Sequence, residues 1–191
     1  MIRPLTNDEK IQKYTAIIAN NTNWTSGQVN VGDVIIPTVA TLATPGTAVK
    51  GSYVAPASAS TSATTALLGV VVAVRQLNGQ QELSAVTSAV TGATNTTSSV
   101  PYVVDYIKCS EPIDWIADVG TSSGTTITAV AVTLDVASYI ISPSTNTQIS
   151  GLLTQASTLA TTSVFNSTKA VADSSGALTK VIGRFQQAAT I

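Results

Sequence analysis

Four acidic residues lie close together in the chain: Asp105, Glu111, Asp114 and Asp118. Clustered carboxylates are what a glycosidase needs for its acid and its nucleophile, and what an oxygen-ligand Ca²⁺ site needs to surround the ion. The spacing fits no EF-hand loop, because the Asp-x-Asp-x-Asp-Gly core is missing. The plainer reading is turn residues and acids at strand ends. The chain has no histidine, which removes Ser-His-Asp and Cys-His catalysis, the common zinc sites and the usual near-neutral base. The reading adopted is a protein that is not an enzyme, with no catalytic residue, no metal ligand and no cofactor.

Other chemistry is equally thin. Cys109 is the only cysteine, so no intrachain disulfide forms, and a small core filler on a strand is its expected role. Gly120-x-x-x-Gly124 lacks the Lys-Ser/Thr that a phosphate loop needs. No basic stripe interleaved with aromatics marks a nucleic-acid surface. Asn20, Asn23, Asn95 and Asn166 each begin an Asn-x-Ser/Thr triplet, as chance provides in a chain rich in Ser, Thr and Asn. Trp24 and Trp115 could anchor an interface or a sugar platform, although core or half-core packing is the simpler role for both.

These residues must be placed by some set of elements. Thr6-Asn7-Asp8-Glu9 reads as a capping box, and Ile11, Tyr14 and Ile18 follow at helical spacing, so a short helix is expected over about residues 7 to 18. This N-terminal arm, residues 1–24, holds much of the charge. Arg3, Lys10 and Lys13 are its candidate contacts with a neighbouring subunit; a solvated helix face is the alternative. Beyond it, short strands are expected at Val29–Val31, Val34–Ile36, Thr38–Leu42 and Val49–Val54, with Pro56–Thr65 an exposed loop.

The firmest local pattern is Val70–Val86. An Asn78-Gly79 tip favours a two-residue type I′ hairpin. It pairs Leu77 with Gln80, Gln76 with Gln81, Arg75 with Glu82, Val74 with Leu83 and Val71 with Val86. Because Val70–Val74 is apolar at every position, the base of the hairpin is expected to be buried on both sides. Residues 87–99 read as a second Ser/Thr-rich loop. Val100–Cys109 is β-branched and aromatic, hence a strand. Glu111–Asp118 reads as a turn into a short strand, Gly120–Gly124 as a flexible connection, Thr125–Val136 as a strand and Gly176–Phe185 as a closing strand. Leu152, Leu153 and Leu159 lie in an ambiguous stretch.

Many short strands with frequent turn signals define the expected fold class: all-β, a compact barrel or sandwich of short antiparallel strands with a short N-terminal helix or arm. Residues 25–191 form a single β-rich domain in this reading. Of the 191 residues, 44% are apolar and only 10% are charged, against about 25% charged in ordinary globular proteins. Ser, Thr, Ala and Gln replace the ions. With a net charge of −1 there is no electrostatic case for nucleic acid or an anionic membrane. The opening Met1–Glu9 is too polar for a signal-peptide core. A hydroxyl-covered β surface with neither export signal nor disulfide fits a virion component, made in the host cytoplasm and working outside it. Uncharged polar groups also suit multi-copy packing, because they desolvate at lower cost than ions.

Gly32-Asp33-Val34-Ile35-Ile36-Pro37 followed by Leu68-Gly69-Val70-Val71-Val72-Ala73-Val74 resembles small β-rich virion proteins of tailed bacteriophages, the capsid decoration or cement proteins. Pro101-Tyr102-Val103-Val104-Asp105, Trp115–Gly120 and Val181–Arg184 are similar in layout, so the resemblance covers roughly residues 25 to 185. It implies binding to the major capsid protein on the outside of the shell, over junctions between its subunits, as a homo-oligomer that stabilises the head. No individual residue role is carried over, and the N-terminal helix departs from the pattern. A receptor- or glycan-binding fibre module, using the loops at 56–65 and 87–99, and a tail-tube or connector subunit are the alternatives.

Overall fold

A computed structural model describes residues 1–5, 11–18, 31–38, 53–57, 67–76, 82–83, 102–123, 126–141, 153–155 and 163–186. Its strands are β1 (Ile2–Pro4), β2 (Tyr14–Ile18), β3 (Val34–Thr38), β4 (Tyr53–Pro56), β5 (Gly69–Gln76), β6 (Glu82–Leu83), β7 (Tyr102–Lys108), β8 (Trp115–Asp118), β9 (Gly120–Ser123), β10 (Thr126–Ala129), β11 (Ser138–Ile141), β12 (Leu153–Gln155), β13 (Phe165–Ala172) and β14 (Leu178–Phe185). The described residues are all-β, as expected.

Two six-stranded sheets carry the fold. In one, β3 pairs with both β4 and β5, so β3, β4, β2, β7 and β5 form a closed circuit, a small barrel with β6 attached to the far end of β5. The other runs β1-β8-β14-β13-β11-β12 and curls until Leu153 on β12 meets Val119, just past β8, in a parallel bridge. The Thr154 hydroxyl donates to the Gly120 carbonyl at 2.8 Å beside that bridge. Curling occupies edges that would otherwise be open to pairing with another chain.

Alternation along the strands sorts side chains between two cores. Val34, Val70 and Ile107 face the larger core with Trp115, Tyr139, Phe165 and Val181. Their neighbours Ile35, Val71 and Tyr106 point into the small barrel with Ala16, Val54, Val74 and Val104. The base of β5 is therefore buried on both faces, as its unbroken apolar run predicts. A bulge between Val71 and Ala73 makes three steps on β5 match two on β7, since Val71 faces Tyr106 and Val74 faces Val104. Without the extra residue, Val74 would turn away from the barrel interior.

The hairpin register is as expected where it is described: Val74 pairs with Leu83 and Arg75 with Glu82. The tip at 77–80 and the partners Gln81 and Val86 lie outside the described residues. The Val71 backbone is taken by the turn that leads into β3, accepting from Gly32 N at 2.7 Å and donating to Asp33 O at 2.9 Å.

The expected helix is overturned at its C-terminal half. Tyr14–Ile18 is a strand, parallel to β4 on one side and antiparallel to β7 on the other; residues 6–10 lie outside the described residues. Thr15, Ile17 and Ile18 are β-branched, and pairing on both edges outweighs the helical spacing. Gly120–Ser123 is not a flexible connection but β9, paired with β10. The strand expected over Thr125–Val136 stops at Ala129. Residues 130–137 instead form a strap from β14 to β13. Val132 N–H donates to Leu178 O at 2.7 Å, Ala170 N–H donates to Asp135 Oδ1 at 2.9 Å, and Ala137 N–H donates to Ser167 Oγ at 2.9 Å. The Ser167 hydroxyl in turn donates to Asp135 O at 2.7 Å. Ala57, expected in an exposed loop, is buried. The remaining expected segments at 29–30, 39–42, 49–52, 58–65 and 87–99 lie outside the described residues, as do Leu152 and Leu159.

Candidate interaction surface

The four clustered acids do not converge. Asp105 lies on β7, where it accepts from Arg75 Nε and Nη2, both at 2.9 Å, and from the Thr15 hydroxyl at 2.6 Å. The Arg75 bonds outweigh partial burial and hold its carboxyl below the usual range. Asp114 accepts from Arg184 Nε at 2.6 Å. Asp118 is bound by Lys180 and by the Met1 amino group. Burial pushes Asp118 up, but those two cations outweigh it and keep it low. Among the described residues no three His, Cys, Asp or Glu side chains group as metal ligands. Cys109 is buried, which raises its thiol well above the ordinary value.

Trp115 is corrected as an interaction residue: its ring is wholly buried. It meets Phe185 edge-on at 5.5 Å, and Phe185 and Phe165 continue the contacts to Tyr139. Neither Trp115 Nε1 nor the Tyr139 hydroxyl has a well-formed hydrogen bond, though Ser167 lies beside Tyr139. Lys10 and Trp24 lie outside the described residues. Lys13 is exposed ahead of β2, its charge felt at Asp105. Of the sequon asparagines only Asn166 is described, and its side-chain oxygen accepts from Ser138 and Gln186.

Arg3 is exposed on β1, and the register shows its company. Arg3 pairs with Ile116, Ile116 with Ile182, and Ile182 with Lys169, so one row crosses four strands. Alternation sends Ile2, Trp115, Ala117 and Val181 inward and leaves this row on the outer face. Arg3 and Lys169 are exposed at its ends, and the isoleucines between them are half-buried. On one side of the row lies the Asp118–Lys180 pair, and on the other the Asp114–Arg184 pair. Arg3 and Lys169 have no ion-pair partner among the described residues. Four cationic side chains thus share a face with two acids, each already paired. At the Arg3 end an open depression of about 390 Å³ is lined by Arg3, Pro4, Leu5 and Ile116, and Leu5 is 43% exposed.

Of this face the sequence marks Arg3 as a candidate contact, and Asp114 and Asp118 only as members of an acidic cluster. The signal for the rest is period-two alternation in Lys180, Ile182 and Arg184, but which strands lie beside β14 is set by long-range pairing. No family model, no curated protein and no solved structure matches this chain.

Proposed function

We propose that the chain is a bacteriophage virion structural protein, a capsid decoration protein that binds the outer surface of the head through the major capsid protein and through further copies of itself. The observation that carries this reading is the division of labour among its few ions. Three of the four acids that could have formed a reactive or metal-binding cluster, Asp105, Asp114 and Asp118, each sit beside a structural cation, and with only 10% of residues charged the chain has an exterior mostly of hydroxyls, amides and scattered apolar groups. Such a surface loses little on desolvation and suits repeated close packing. A fold of curled, largely closed sheets fits the same role, because it keeps strand edges from uncontrolled pairing.

The test is to incubate purified protein with expanded heads that lack it and to sediment the particles. Saturable binding at a fixed ratio to the major capsid protein is the expected result. Failure to co-sediment, or turnover of a glycan by the isolated chain, refutes the reading.

A further inference from the structure

We infer that the outer face of β1, β8, β14 and β13 is a protein-docking surface for an extended acidic segment that places an apolar side chain between two carboxylates. The inference rests on the proposed role as a binding protein and assigns the face and the partner's chemistry.

Three features converge on it. The row Arg3–Ile116–Ile182–Lys169 has a cation at each end and an apolar centre. Three strand spacings of ~4.8 Å put the two ends about 14 Å apart. An extended chain rises ~3.3 Å per residue with alternate side chains on one face, so acids four positions apart span about 13 Å with one side chain midway. The pattern acid-x-apolar-x-acid therefore matches the row in both spacing and chemistry. The acids at Asp114 and Asp118 do not oppose it, because Arg184 and Lys180 offset them. The half-buried Ile116 and Ile182 at the middle of the row give the apolar side chain its contact. The remaining charge is too sparse for a phosphate backbone, which offers a charge every few ångströms and rewards long tracks of cations.

The experiment is an amide NMR titration of the full chain with the synthetic pentapeptide Glu-Thr-Leu-Thr-Glu, capped at both ends. The controls are Lys-Thr-Leu-Thr-Lys and a short DNA duplex. Saturable shifts at Arg3, Ile116, Ile182 and Lys169 are expected with the acidic peptide alone. They should weaken on the order of tenfold between about 50 and 500 mM salt and vanish in R3E/K169E. That variant is expected to keep the wild-type spectrum elsewhere, since both residues are exposed. Shifts of equal size with the lysine peptide, stronger shifts with DNA, or none on this face overturn the inference. Head binding separates the two readings. If heads bind wild type and R3E/K169E equally, the face is wrong and the decoration role stands. If the peptide binds and heads do not, the role is wrong and the face stands.

Discussion

Ser167→Ala isolates the fastening of the strap. Ser167 is buried at the bulge in β13, and its hydroxyl accepts from Ala137 N–H at 2.9 Å and donates to Asp135 O at 2.7 Å. Alanine is nearly isosteric, so no cavity is left and the loss is one of hydrogen bonding. A buried group deprived of its partner costs about 1–3 kcal/mol. Ala137 is only half-buried, so water recovers part of it, and about 1.5 kcal/mol is expected. For a chain of this size that lowers Tm by roughly 3–6 °C. The loss should also be local. Val132, the buried residue of the strap, and Ala137 should exchange their amide protons faster, while Val71 and Val104 in the small barrel keep their protection. Thermal melts and hydrogen exchange on S167A read both quantities. A Tm within ~1 °C of wild type with unchanged exchange at Val132 refutes the strap as a fastened element.

Further outcomes follow from the same geometry. Asp173 accepts from the Ser175 hydroxyl and amide, the Ala177 amide and the Thr179 hydroxyl, with the Ser175 hydroxyl the largest influence holding its carboxyl at about 2. A lowered folded value means stability is complete above the ordinary carboxylate range and is lost as pH falls toward about 2. Urea midpoints measured from pH 5 to pH 2 should therefore fall less steeply in D173N, which starts lower. Gly176 closes this hairpin at φ +86° with nothing within 4 Å of an added Cβ, so G176A should cost about 1 kcal/mol from backbone strain alone, read as a lower denaturant midpoint with unchanged slope. Trp115→Ala should cost about 3–5 kcal/mol through the cavity it opens, whereas Trp115→Phe should cost under half of that, since it also removes an unpartnered donor; equal losses in the two variants would contradict the buried, unbonded indole.

How much was legible in the sequence depended on how local its cause was. The pairing of Val74 with Leu83 and of Arg75 with Glu82, the two-sided burial of β5, the strand at Tyr102–Lys108 and the closing strand near 178–185 could all be read directly, because alternation, β-branching and turn residues act within a few positions. Tyr14–Ile18 misled because its apolar spacing suits either period and only its two flanking strands decide the matter. The bulge at Val72 and the strap across β13 and β14 had no local signature. The outer-face row was hidden for a further reason: Arg3, Ile116, Ile182 and Lys169 come from four distant parts of the chain and become neighbours only through strand pairing.

By itself the sequence determined an all-β chain with few ions, no histidine and a buried lone thiol, since composition and short-range patterning dictate those properties whatever the topology. Tertiary structure alone decided which ion meets which. It tied Asp105, Asp114 and Asp118 to Arg75, Arg184 and Lys180, sent Trp115 inward and left Arg3 and Lys169 facing solvent. Charges act over ångströms in space, and the separation of residues along the chain says little about that distance until the sheets have closed.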